Sequence, residues 1–252
     1  KYIGKIARVL GELRDLDVMK EALKERCLPN LPKSEQKAIA TALESLEAQR
    51  QQTFKEVKSM LEKSRYQGMK QAFIEWLKEP NYQAMAQIPI RQVLPDLLLP
   101  QVSELLLHPA FLIGTKLENG EIQPRKNMSS KEIEETLAIS GDTMHSLRKQ
   151  TKRVRYQMEL FADFYGETYA AYLKDMKALQ EILGQIQDSV VLGEFLTKAK
   201  VTGSDSLPPK FAKQLAHSRY EAWQKWQTLQ VRYLNLQIRQ SFRSELLRPQ
   251  GL

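Results

Sequence analysis

Apolar residues recur at every third or fourth position through nearly all of this 252-residue chain, and no sustained alternation of period two appears. That pattern builds amphipathic helices packed side against side and leaves little room for a sheet. Ile3, Ile6, Leu10, Leu13 and Leu16 share one side of a first helix over residues 1–26, which Leu28-Pro29-Asn30-Leu31-Pro32 must end. Ser34 offers an N-cap for the next helix, with Lys37 where a capping box would carry an acid. A long helical stretch then runs to about Glu79, bent near Gly68 and stopped by Pro80. Pro89, Pro95, Pro100 and Pro109 divide the middle into one or two shorter helices between 90 and 108. Asn119-Gly120 within FLIGTKLENGEIQP, residues 111–124, suits a small hairpin. Helices are expected again over 129–164, 169–200 and 210–247, with a loop at 203–209. The expected class is all-α.

Charged residues are 27% of the chain and hydrophobic ones 42%, the balance of a folded protein with a proper core. No run of about 18 apolar residues exists, so no membrane span and no membrane partner are expected. Cys27 is the sole cysteine, which rules out a disulfide within the chain and suits a reducing, cytoplasmic setting. His108, His145 and His217 lie far apart in sequence and no second cysteine supports them, so neither a metal site nor a cofactor is expected. The first residue is Lys rather than Met, and the chain is read as starting mid-protein. One domain is expected, with a first helical half over 1–110, a linker or insert over 111–128 and a second helical half over 129–252.

The chain repeats itself. Leu10-Gly11-Glu12-Leu13-Arg14-Asp15-Leu16-Asp17-Val18 matches Leu183-Gly184-Gln185-Ile186-Gln187-Asp188-Ser189-Val190-Val191 at an offset of 173. At an offset of 169, Arg50, Phe54, Phe73, Leu77 and Pro80 meet Arg219, Trp223, Phe242, Leu246 and Pro249, and Lys63 and Lys70 meet Arg232 and Arg239. The partner of the helix that starts near Asp142 would lie upstream of residue 1, so the repeat predicts a further basic helix there.

The centre of interest is DTMHSLRKQTKRVRYQMELFADFYG, residues 142–166. At 100° per residue, Met144, Leu147, Val154, Met158 and Phe161 form an apolar stripe for a bundle core. His145, Arg148, Lys149, Lys152 and Tyr156 form another on roughly the opposite side, flanked by Arg153 and Arg155. No acid lies between Thr143 and Met158. Like charges at these spacings repel by a few tenths of a kcal/mol per pair, which an external anion would offset. A solvated surface is the plain alternative. The arginine content favours phosphate, because the planar guanidinium matches phosphate oxygens bidentately.

Lys5, Arg8 and Arg14 on the first helix, and Arg50, Arg65, Arg219, Arg232 and Arg239 along the long ones, are further candidates for the same polyanion. Each is individually ordinary surface unless the fold brings it to one face. Asp15, Asp17 and Asp188 read as partners that pair with basic residues rather than as acid–base or metal chemistry. Glu132-x-Glu134-Glu135 reads as a solvated helix face, and Trp76, Trp223 and Trp226 as core.

His145-x-x-Arg148-x-x-x-Lys152-Arg153-x-Arg155-Tyr156 resembles the signature helix of CHAD domains, the conserved histidine α-helical domain family. Leu179-Gln180-x-x-Leu183-Gly184-x-x-x-Asp188 resembles that family's next motif, and Leu10-Gly11-x-x-Arg14-Asp15-x-Asp17-Val18 its earlier one. The resemblance implies two four-helix bundles related by pseudo-symmetry, with a basic groove between them that binds inorganic polyphosphate without turning it over. It implies that ligand for His145, Arg148, Lys152, Arg153 and Arg155. The family's first basic helix has no counterpart here, and residues 111–123 fall outside the pattern. Two other functions stay open: nucleic-acid binding, for which Tyr156 is the one aromatic on the ridge, and hydrolysis of polyphosphate or triphosphate, for which the Glu-x-Glu-x-Lys type of cluster is missing.

Overall fold

The structure, a computed structural model, describes residues 2–199 and 206–250. It is 83% helical, with one small hairpin, and is all-α as the periodicity requires. It divides into two compact units: Lys1–Gln83 with Val191–Leu215, and Ala84–Val190 with Ala216–Leu252. Two long helices, over 167–198 and 209–234, each give one end to either unit. The expected loop at 203–209 lies partly outside the described residues.

In the first unit, α1 (Tyr2–Glu21) runs into one wider turn of π-helix, Ala22–Cys27, and then a tight turn at Leu28–Asn30. Helix α2 (Lys33–Glu62) starts directly after Pro32, whose extended ψ of 152° turns its carbonyl to accept the N–H groups of Glu35 and Gln36. Ser34 therefore lies inside the helix and caps nothing. Glu35 instead accepts the N–H groups of Lys210 and Phe211, at 2.9 and 3.0 Å, where α7 (Pro209–Leu234) begins and its free amides favour a negative charge. The break before α3 (Ser64–Lys78) falls at Lys63, with ψ 141°, rather than at Gly68. Leu23, Ile39 and Leu46 pack with Leu192, Leu196 and Phe211 to form this unit's core.

In the second unit, α4 (Ile90–Leu106) stays a single helix in spite of Pro95 and Pro100. Strands β1 (Thr115–Glu118) and β2 (Glu121–Pro124) pair antiparallel about Asn119 and Gly120, whose φ values of 52° and 81° are those of a two-residue hairpin turn. Helix α5 (Ser130–Leu160) opens on a full capping box: Ser129 Oγ accepts the Glu132 N–H while the Glu132 carboxylate accepts the Ser129 N–H at 2.9 Å. That backbone bond, with the Ser129 hydroxyl next, holds the Glu132 carboxyl below its ordinary range. Helix α6 (Glu167–Lys198) follows. The last helix breaks at Asn235 into α7 and α8 (Leu236–Leu246), with the Asn235 side chain capping α8. Trp223, Trp226, Tyr169, Tyr233 and Phe242 are fully buried in the core here.

The repeat survives in outline, since α2 and α7 each break into a shorter helix. Burial separates the copies. Phe54, Phe73 and Leu77 are 50, 50 and 69% exposed, whereas their counterparts Trp223, Phe242 and Leu246 are at 0%. In the second unit Tyr172 stacks on Phe242 at 4.2 Å and the Tyr165 hydroxyl donates to the Leu246 carbonyl; no described element of the first unit does this. Trp76, expected in a core, is 44% exposed with Tyr82 edge-on at 5.7 Å.

Candidate functional site

Helix α5 buries Met144, Leu147, Val154 and Met158, with Thr151 on the same side. Phe161 ends it half-buried. That fixes the opposite side outward. Lys149, Lys152, Arg153 and Tyr156 are exposed, and His145, Arg148 and Arg155 are half-buried along the margin with the core. Among the described residues no ion pair holds Arg148, Lys149, Lys152 or Arg153, so four cations stand along about one and a half turns without a carboxylate.

Arg148 and His145 carry the most constrained geometry. A methyl group placed on Gly184 of α6 would lie 3.7 Å from Arg148 Nε, an ordinary van der Waals distance, so the guanidinium stem packs close against this turn of α6. Arg148 Nε and His145 Nδ1 are buried without a hydrogen-bond partner. Burial pulls the His145 pKa below its ordinary value, and the positive charges of Lys149 and Arg148 pull it further; Gln187 and Asp142 oppose them. Burial first, and the neighbouring ridge charges second, thus favour the neutral imidazole in the unliganded protein.

Arg155 differs. Its Nε donates to Gln180 Oε1 at 2.8 Å and its Nη1 to Glu159 at 2.9 Å, and its guanidinium lies 4.2 Å over the Tyr156 ring. Lys177 meets the same Glu159 at 3.2 Å, and Lys152 Nζ approaches the ring at 5.8 Å. Arg155 and Tyr156 brace the C-terminal end of the ridge.

The other candidates separate by pairing. Arg50 is ion-paired with Asp17, as expected of that aspartate. Arg219 forks onto both Glu134 oxygens at 2.7 and 2.5 Å and reaches Ser189 Oγ at 3.5 Å. Glu134 is thus half-buried and engaged, and Glu132 is a cap, so two of the three glutamates read as a solvated face have structural roles. Arg232 meets Asp175 at 2.6 Å, beside the Tyr233 hydroxyl on the same oxygen at 2.8 Å. Arg65 lies 4.6 Å over the Tyr2 ring. Lys5, Arg8 and Arg14 are exposed on α1 and hold no ion pair among the described residues, and Asp15 is exposed. Arg239 lines a cavity that no residue of the ridge touches. Asp188 is half-buried. Glu159 escaped the sequence reading, though its spacing of four from Arg155 could have signalled it; Gln180 and Gln187 stood in motifs there but were given no role.

Among the described residues no three His, Cys, Asp or Glu side chains are grouped to hold a metal ion, and no helix is long and apolar enough to cross a membrane. The fold and site define an all-helical protein with a cationic ridge on one helix, four of whose cations hold no ion pair among the described residues. The chain belongs to the CHAD domain family, whose model matches residues 1–197. No curated protein and no solved structure matches it.

Proposed function

We propose that this chain binds inorganic polyphosphate without turning it over, through the outer side of α5. The observation that carries this reading is the row of Arg148, Lys149, Lys152 and Arg153, which hold no ion pair among the described residues, backed by the buried, unmatched Arg148 Nε. Successive phosphates would take the guanidinium and ammonium donors, with His145 and Tyr156 as hydrogen-bonding groups in the same register. Membership of a family associated with polyphosphate supports the same ligand. A cytoplasmic location, with attachment to polyphosphate granules, fits this role.

The direct test is polyphosphate affinity of the wild type against the charge-reversed variant Arg148→Glu/Lys152→Glu/Arg153→Glu. A loss of at least about a hundredfold is expected, and equal affinities would defeat the proposal. Nucleic acid is the competing polyanion. Its bases want open aromatic faces, and one face of Tyr156 already carries Arg155. Single- or double-stranded nucleic acid that displaced polyphosphate at physiological salt would reverse the assignment. Phosphate release in the presence of Mg²⁺ or Mn²⁺ would replace binding by hydrolysis.

A further inference from the structure

The hairpin and the junction of α7 with α8 enclose a second site of a different kind. A cavity of about 890 Å³ lies between them, within the size range of small-molecule sites. Its cations are Arg125, Lys126 and Arg239, against one lining carboxylate, Glu121. Arg125 is partly engaged by Glu132 at 2.8 Å, whereas Lys126 and Arg239 hold no ion pair among the described residues. Arg239 is half-buried, its Nε is enclosed without an acceptor, and Arg243 one turn on adds a second positive charge. A desolvated guanidinium without a counter-charge is costly, and an anion from solution would offset that cost.

Two further features shape the ligand. Asn235 satisfies the Ile238 and Arg239 N–H groups, so the Leu236 and Gln237 amides at the start of α8 have no acceptor within the helix, and both residues line the cavity. Ile122, Val231 and Leu236 are 46, 54 and 57% exposed and converge on the same cavity, beside the side-chain amides of Gln224 and Gln227. A bare inorganic anion would leave that apolar floor unused.

We propose that this cavity binds a small organic phosphate of nucleotide size. The phosphate lies between Lys126, Arg239 and the first turn of α8, and the organic body covers Ile122, Val231 and Leu236. The site is independent of the α5 ridge.

The test is calorimetric titration of the intact chain with AMP, adenosine and inorganic phosphate. AMP should bind at least about tenfold more tightly than either fragment. Arg239→Met and Lys126→Ala should each weaken AMP by about tenfold, and Val231→Glu, an exposed change at the floor, by a similar factor. Lys126 and Val231 are exposed, so those two variants carry the test if Arg239→Met fails to fold. The ridge-reversed triple variant should keep AMP binding, and the cavity variants should keep polyphosphate affinity within about twofold. The proposal is overturned if AMP does not bind, if it is insensitive to all three cavity variants, or if the ridge triple abolishes it. Tripolyphosphate that displaces AMP from the ridge triple as well as unlabelled AMP does would also overturn it, since the organic body would then contribute nothing.

Discussion

Neutralising the free cations of α5 should change how polyphosphate affinity responds to salt, by an amount set by which side chains are already paired. Counterion release gives a slope of about −0.7 in log affinity against log salt for each cation engaged on a single-stranded polyanion. Arg148, Lys149, Lys152 and Arg153 hold no ion pair among the described residues, while Arg155 is committed to Glu159 and Gln180. Four free cations give a slope of about −3, which is about a fiftyfold loss between 50 and 200 mM salt. The variant Arg148→Gln/Lys152→Gln/Arg153→Gln leaves Lys149, a slope of about −0.7 and a loss of about threefold over the same range. Fluorescence anisotropy of end-labelled polyphosphate of one fixed length, titrated at several KCl concentrations, measures both. The control variant Arg50→Gln/Arg219→Gln/Arg232→Gln removes the same charge from positions held by Asp17, Glu134 and Asp175 and should leave the slope unchanged. If the control flattens the slope as much as the ridge variant does, pairing does not decide which cations meet the ligand, and the reasoning fails. A wild-type slope much steeper than about −3 would count cations beyond these four.

Because burial and its cationic neighbours depress the His145 pKa, and bound phosphate favours the imidazolium, binding should take up a proton and tighten as pH falls from 7.5 to 6. Calorimetry in two buffers of different ionisation enthalpy reads that uptake; no difference between buffers, or the same pH profile in His145→Gln, would refute it. In the unliganded protein the sign is opposite for stability: a lowered folded pKa contributes stability above the unfolded value of about 6.5, lost as pH falls from there through the folded pKa. Phe242→Ala should cost about 3–5 kcal/mol and its repeat counterpart Phe73→Ala less than about 0.5, measured by denaturant unfolding; equal costs would mean that Phe73 is buried in solution. Gly114→Ala combines φ +69° with a methyl 2.6 Å from the Trp223 ring, which is fully buried and cannot yield, so Tm should drop by about 5–10 °C.

Much of the fold was legible because its signals are local. The period of Met144, Leu147, Val154 and Met158 fixed which side of α5 faces inward, and Asn119-Gly120 fixed the hairpin turn. The helix breaks were less legible. Lys63 and Asn235 interrupt long amphipathic patterns without a proline, and only at Asn235 does a capping side chain mark the place. Ser34 misled for a similar reason: it is a good cap residue two positions past Pro32, whose carbonyl had already taken the first-turn amides.

The site was legible to the level of residue type and no further. Arg148 and Arg219 are the same side chain on equally amphipathic helices. What separates them is a glutamate 85 residues before Arg219, which no local pattern connects to it. Phosphate affinity depends on that difference, because a guanidinium already forked onto a carboxylate must break a charge-assisted pair before it can take a phosphate, whereas an unpaired one need not. The candidate arginines and lysines therefore fall into three physical kinds. Some arginines are engaged within the fold, such as Arg50, Arg155, Arg219 and Arg232. Others are free along α5 or exposed on α1. Arg239 is half-buried beside a cavity that no residue of the ridge lines, and it holds no ion pair among the described residues.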